Sequence, residues 1–227
     1  MDIFDKFTET VTNIAQPEDK ILDIGTGDGL RLRTIVNSCT KLDKMMFWTG
    51  IDISERQIAK AILNFSNYNN VFIQIGDGYG LDCENAYFDI VIGTKSCFCP
   101  EEAFRVLKPG GYYFYIGAGN EDWIELRRLF GYVSKAYLTK ATVYNKLVQT
   151  GYQILKYEDY LATEHFTTRD ELIDFFSTGY IVPHNTAQEL SEQIKKIEKY
   201  FEPLKEILLT SHEWFTISLK PSPSVTI

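Results

Sequence analysis

Two periodicities alternate along the chain. Residues 2–15 place Phe4, Phe7, Val11 and Ile14 at helical spacing, which predicts a short amphipathic helix. Gln16-Pro17-Glu18-Asp19 breaks it, and "KILDIGTG" then reads as a buried strand entering a glycine turn. "LRLRTIVNSC" predicts a helix, and "FWTGIDIS" a second strand that ends at Asp52. Ser54 and Gln57 have the spacing of a capping box for "ERQIAKAILNFS". "NVFIQIGDG" and "FDIVIGT" read as strands three and four; "PEEAFRVL" is a short helix that passes through "KPGG" into a fifth strand, "YYFYIGAG". Apolar strands alternating with helices imply an α/β fold whose mostly parallel sheet is covered on both faces.

After residue 119 the rhythm changes. "EDWIELRRLFGY" and "KATVYNKLVQTG" carry helical patterns, and "YQILKYEDYLATEHF" reads as a long strand. Thr168 and Glu171 cap "RDELIDFFS", residues 186–209 form a further helical stretch, and "HEWFTISLKP" closes the chain as a last strand. The expectation is one domain over residues 1–227, with an N-terminal helix at 1–16 folded as a flap and a helical insert at 166–210 serving as a substrate lid.

"ILDIGTGDGL" holds the first candidate chemistry. Gly25, Gly27 and Gly29 are spaced G-x-G-x-G at the carboxyl end of a strand, where backbone N–H groups can approach a ligand. Asp23 precedes the first glycine and Asp28 lies between the last two, which disfavours a pyrophosphate and suits a ligand with positive groups. There is no G-x-x-x-x-G-K-[ST] run, so a P-loop is excluded. Asp52 ends strand two, placed for the two hydroxyls of a ribose, and Asp77 ends strand three, placed to accept from an exocyclic amine. Each acid alone could be an N-cap or turn residue; in order on successive strand ends they sketch a nucleoside with a cationic tail and no phosphates.

"ILDIGTGDG", "GIDIS", "IGDGYGL", "FDIVIGT" and "RVLKPGGYYFYIG" together resemble the successive motifs of class I S-adenosylmethionine-dependent methyltransferases, over about residues 18–118. The resemblance implies a Rossmann-like, seven-stranded sheet in which "HEWFTISLKP" is an antiparallel seventh strand between strands five and six. It implies S-adenosyl-L-methionine as methyl donor, with S-adenosyl-L-homocysteine as product. Asp23 and the segment Gly25, Thr26, Gly27, Asp28, Gly29 would hold the methionine end, and Asp52 the ribose. Ile53 would pack on the adenine, Asp77 with Gly76 and Gly78 beside it would meet the adenine amine, and Thr94 would line the methyl-transfer pocket. Lys108, Pro109 and Gly110 match a structural turn.

Charge and cysteine usage narrow the acceptor. A formal net charge of −8 with no dominant basic cluster argues against a non-specific nucleic-acid partner. The four cysteines, Cys39, Cys83, Cys97 and Cys99, lack paired C-x-x-C spacing and read as reduced thiols, with no metal site. The acidic N-terminus is no signal peptide, and no apolar run is long enough to span a membrane, so a cytoplasmic protein is expected. Methyl transfer from a sulfonium is an in-line displacement that needs alignment more than a dedicated residue. The catalytic candidates are His165, as a base, and Thr94 in the pocket wall; His165 reads equally as a hydrogen-bonded surface residue, as does His184. "GTKSCFCP" after strand four lacks a [D/N]-P-P-[Y/F] motif, which in this family accompanies amide and base-amine methylation. Cys97 is taken as pocket lining together with Phe4, Phe7, Phe176 and Tyr180, the insert's aromatics suiting a small organic acceptor. The alternatives are an RNA base methyltransferase and a non-catalytic S-adenosylmethionine-binding module.

Overall fold

The computed structural model describes residues 3–131, 138–176, 186–202 and 206–223. In chain order the elements are α1 (Ile3–Ile14), β1 (Lys20–Ile24), α2 (Leu30–Lys41), β2 (Phe47–Asp52), α3 (Glu55–Asn64), β3 (Val71–Ile75) and β4 (Phe88–Thr94). There follow α4 (Pro100–Val106), β5 (Leu107–Ala118), α5 (Ile124–Phe130), α6 (Lys140–Thr150), β6 (Gln153–Phe166), α7 (Arg169–Phe176), α8 (Ala187–Phe201) and β7 (Ile207–Leu219). The strands form a seven-stranded sheet in the order β3-β2-β1-β4-β5-β7-β6. β1 through β5 pair in parallel, whereas β7 runs antiparallel to β5 from Tyr112↔Leu219 to Ala118↔Glu213. The expected reversed strand between the fifth and sixth is therefore present.

Position in the sheet explains each strand's composition. β1 and β4 are central, so Ile21, Leu22, Ile24, Ile90, Val91 and Ile92 are buried on both faces. β3 lies at the edge and leaves Phe72 largely exposed. "KPGG" lies inside β5: Gly110 takes φ 84°, and the β4–β5 register shifts between Phe88 and Ile90. A side chain at this left-handed φ would be strained, so glycine permits the irregularity.

The contacts fall into two compact units. The first comprises residues 1–118, 138–159 and 213–227; the second comprises 119–137 and 160–212. In the first, successive β5 residues point to opposite faces. Tyr113 and Tyr115 join Ala103 and Val106 of α4 and Val143 and Leu147 of α6 in one cluster. Phe114 points the other way and meets Phe7 of α1, whose ring also packs on Phe215, with centroids 6.3 and 5.5 Å away. α1 is thus anchored in the core through Phe7. Phe7 is fully buried, worth ~2–3 kcal/mol, and Lys44 Nζ donates to the Thr12 and Ala15 carbonyls at the helix's end.

The second unit has its own core, in which Phe166, Leu172, Phe176, Leu190, Ile194, Ile197, Phe201 and Leu209 pack with Trp123 and Leu126 of the α5 segment. It draws in residues 119–131 as well as the 166–210 stretch, so the insert is discontinuous in sequence. Its helices start as the caps dictate. Glu171 accepts from the Thr167 and Thr168 amides before α7. A complete capping box between Thr186 and Glu189 opens α8.

Candidate cofactor site and the loop after strand four

The first unit brings the sequence-predicted residues of the glycine turn together at the carboxyl edge of β1, β2, β3 and β4. The Gly25 and Thr26 amides both donate to the Ile51 carbonyl at 2.8 Å, fixing the turn to β2. Gly25, Gly27 and Gly29 have φ of 77°, 57° and 80°, all in the left-handed region that glycine adopts freely. Space divides their roles. A Cβ on Gly25 would lie 2.3 Å from Ser96 Cβ, and one on Gly29 would lie 2.8 Å from the Phe65 ring, so both face protein. A Cβ on Gly27 would meet nothing within 4 Å; the backbone there is open for a ligand to approach.

Asp23 lies beneath this turn, 3% exposed, and its Oδ1 has no hydrogen-bond partner. Burial pushes its carboxyl up to about 7, and the Asp52 charge adds to the rise, while Thr26 and Arg31 pull it back. The buried Ser96 hydroxyl also lacks a partner. Buried polar atoms are ordinarily paired, so unpaired ones beside an open turn make this edge a candidate ligand site. Asp52 accepts from the Gly27 amide at 3.0 Å through Oδ2 and from the Ser54 amide at 2.8 Å through Oδ1. Each oxygen keeps a second lone pair for a donor such as a hydroxyl. Ile53, next in the chain, is 72% exposed, an aliphatic side chain left in water where a flat ring could cover it.

At the end of β3, the Gly76 amide donates to the Asp52 carbonyl at 3.0 Å, and Asp77 Oδ1 accepts from the Tyr79 amide at 2.9 Å. The Asp77 carboxylate is therefore set by a tight turn, with the exposed Tyr79 ring beside it. Gly78 is hemmed in: a Cβ would lie 2.5 Å from Cys97 Sγ and 2.6 Å from Ile24 Cγ2.

The segment after β4 completes the wall. Thr94 is buried at the strand end, and Lys95 takes φ 51°, unusual for a side chain-bearing residue. Its amide donates to Ile116 O at 2.8 Å, and its amine pairs with Glu213 of β7. Tyr115 donates its hydroxyl to the Ser96 carbonyl. Lys95, Ser96, Glu213 and Tyr79 were not singled out from the sequence. The left-handed Lys95 and the two contacts across the sheet depend on tertiary structure, so no local pattern announces them.

Other candidate residues lie elsewhere. Phe4 is partly buried, stacked on Phe7 with centroids 6.2 Å apart, and the Arg31 guanidinium lies 5.6 Å from its ring. Phe7 and Phe176 are fully buried core residues and present no surface to an acceptor, which corrects their assignment as pocket lining. Core packing claims both because they sit on the apolar stripes of α1 and α7. His165 belongs to the second unit and is exposed, its Nδ1 3.8 Å from Glu206 Oε2, which matches the surface reading. Tyr180 and His184 lie outside the described residues. Among the described residues no three His, Cys, Asp or Glu side chains are grouped to hold a metal ion, and no helix is long and apolar enough to cross a membrane.

Residues 21–111 match the family model of the methyltransferase domain. The chain carries, over those residues, a methyltransferase domain of the class I S-adenosylmethionine-dependent kind. It is 32% identical over 97 residues to the protein-L-isoaspartate O-methyltransferase of Opitutus terrae, covering 41% of this chain and 39% of that protein. The chain thus spans less than half the length of that relative. In fold the chain is similar to a Bacillus halodurans protein described as a candidate methyltransferase, with a TM-score of 0.69 and 16% identity, covering 97% of this chain and 99% of that one. A phosphoethanolamine N-methyltransferase of Haemonchus contortus, solved with phosphomonomethylethanolamine and S-adenosylhomocysteine, aligns with a TM-score of 0.62 and 17% identity, over 96% of this chain and 53% of that one. The methyltransferase domain's match to the family model begins at Ile21, so the whole glycine turn lies inside it.

Proposed function

We propose that the chain transfers a methyl group from S-adenosylmethionine to a small-molecule acceptor. The observation that carries this reading is the unpartnered Asp23 carboxylate oxygen beneath the open Gly27 backbone, with Asp52 clamped alongside. The residues fit the cofactor. Asp23 and the turn would take its amino-acid end, Asp52 would accept from its ribose hydroxyls, and Ile53 and Asp77 would border its adenine. Bound there, the sulfonium supplies an activated methyl group.

The chain's own part is placement. The turn fixes the cofactor's depth because Gly25 and Thr26 hang from Ile51, and Thr94 to Cys97 form the wall beyond it. The Lys95–Glu213 pair is the charged group of that wall. In this reading it orients a polar acceptor and takes part in proton removal where the acceptor arrives protonated. The residues of the expected 166–210 insert are the candidates for selecting the acceptor.

A protein carboxylate is the second reading, because the Opitutus terrae relative is named for an L-isoaspartate O-methyl acceptor. The test is calorimetric titration with S-adenosylhomocysteine, followed by a turnover screen of small-molecule acceptors, an isoaspartyl peptide and RNA, read as S-adenosylhomocysteine release. Binding with turnover on a small molecule is expected. No binding sinks the reading outright. Binding without turnover on any acceptor makes the chain a cofactor-binding module, and turnover on the peptide or RNA alone replaces the acceptor class.

A further inference from the structure

The loop after β4 carries two thiols for which methyl transfer has no use. Cys97 Sγ and Cys99 Sγ lie 3.8 Å apart, the Cys99 thiol donating toward the Cys97 carbonyl at 3.7 Å. A disulfide needs the sulfurs at ~2.05 Å, so one must travel by roughly 2 Å. Cys99 is 2% exposed in the core cluster beside Ala103 and Tyr113, whereas Cys97 is only partly buried. Cys97 is therefore the sulfur free to move.

What Cys97 leaves behind matters. Its Sγ lies against Gly78 and Ile24, and its neighbour Ser96 packs on Gly25. These are walls of the candidate cofactor site at β1 and β3. We propose that Cys97 and Cys99 form a thiol–disulfide site, oxidised by hydroperoxides, whose closure draws the loop off Gly78 and Gly25. Its effect on cofactor affinity rests on the methyltransferase reading above; the disulfide and the loop movement do not.

The chemistry balances. The Cys97 thiolate attacks one peroxide oxygen and the O–O bond breaks; the other oxygen leaves as water or an alcohol after taking a proton. Cys97 becomes a sulfenic acid. The Cys99 sulfur attacks Cys97, the S–O bond breaks, and hydroxide leaves as water with the Cys99 proton. Two thiols lose two electrons and the peroxide gains them. Cys97 is the more exposed of the two sulfurs, and its contact with the Cys99 sulfur holds its thiol below the ordinary range, so exposure and neighbour together assign the attacking role to Cys97. Cys39 and Cys83 are internal controls: burial raises both thiols, and Cys39 is held in the core against Thr12.

The experiment treats the whole chain with hydrogen peroxide, removes the oxidant with catalase, and maps thiols by peptide mass spectrometry. Amide hydrogen exchange is followed over residues 76–80 and 95–99, and S-adenosylhomocysteine affinity is measured before and after dithiothreitol. The expected result is loss of two hydrogens from the peptide that contains both cysteines and faster exchange in both segments. S-adenosylhomocysteine affinity should fall roughly tenfold and recover on reduction. In Cys99→Ser the reducible change should vanish, with Cys97 gaining oxygen instead. Thiols that stay reduced while Cys39 or Cys83 oxidises, or a Cys97–Cys99 disulfide with unchanged exchange, would overturn the proposal. If the reduced chain binds no S-adenosylhomocysteine, the functional reading fails, and the mass and exchange results still decide the thiol site.

Discussion

Asp23 concentrates the conflict between stability and binding. A carboxylate 3% exposed on a central strand is costly, and burial raises its proton affinity until it titrates at about 7. Because this lies above the usual 3.8, the folded protein holds the proton over a window where the unfolded chain has lost it. Stability should therefore fall as pH rises from about 4 to 7 and then level off, by at most ~1.4 kcal/mol for each pH unit crossed. Asp23→Asn should flatten that slope in denaturant titrations. A slope unchanged by the substitution would place its origin elsewhere. A ligand carrying an ammonium group favours the ionised carboxyl, so binding near neutral pH should release a proton. Calorimetry in buffers of differing ionisation enthalpy reads that release, and Asp23→Asn should abolish it along with most of the affinity. Asp52 acts differently, because its oxygens already brace Gly27 and Ser54. Asp52→Ala should weaken cofactor binding and also loosen the turn, at a cost of about 1–3 kcal/mol for amides left unpaired. Unaltered affinity in a calorimetric titration would remove Asp52 from the site.

Single elements show what could be read before the fold was seen. β1, β2, β4 and the helices beside them follow from apolar runs, because strands inside a parallel sheet are covered on both faces and their sequence has little choice. The glycine turn was legible for the same local reason, as its three left-handed φ values demand glycine. β7 begins at Ile207, five residues ahead of the "HEWF" start, because "ILLT" follows a helical stretch and has no turn residue of its own to mark the change. Lys95 and Glu213, or Ser96 and Gly25, meet only when the sheet closes. Glycine substitutions separate the two kinds of information. Gly27→Val should fold, with a penalty of ~1–2 kcal/mol for a branched residue at positive φ, and should lose cofactor binding because its side chain enters open space. Gly25→Val adds a clash with Ser96 Cβ and should melt at a distinctly lower temperature than Gly27→Val. Equal melting temperatures for the two would contradict this division of space.

Across the whole molecule, the two compact units each hold their own apolar cluster, and the glycine turn with its partners Asp52, Gly78 and Ser96 belongs wholly to the first. Damage to the second core should therefore leave the turn's hydrogen bonds in place. Phe176 is the sharpest probe: it is fully buried, and its ring sits 5.1 Å from Phe175 and 6.4 Å from Trp123. Phe176→Ala removes most of an aromatic side chain from that cluster, a change that costs about 3–5 kcal/mol where the cavity does not collapse. The loss should appear as faster amide exchange in α7 and α8, whose helices pack on each other through Leu172, Ile194 and Ile197. Exchange at Gly25, Thr26 and Gly27 should hold steady, because those amides end on Ile51 and Asp52. S-adenosylhomocysteine affinity should hold with it, while turnover on an identified acceptor falls if the second unit selects that acceptor. Loss of cofactor affinity in step with α7 and α8 protection would instead mean that the two units stand or fall together, and that the glycine turn is not self-sufficient.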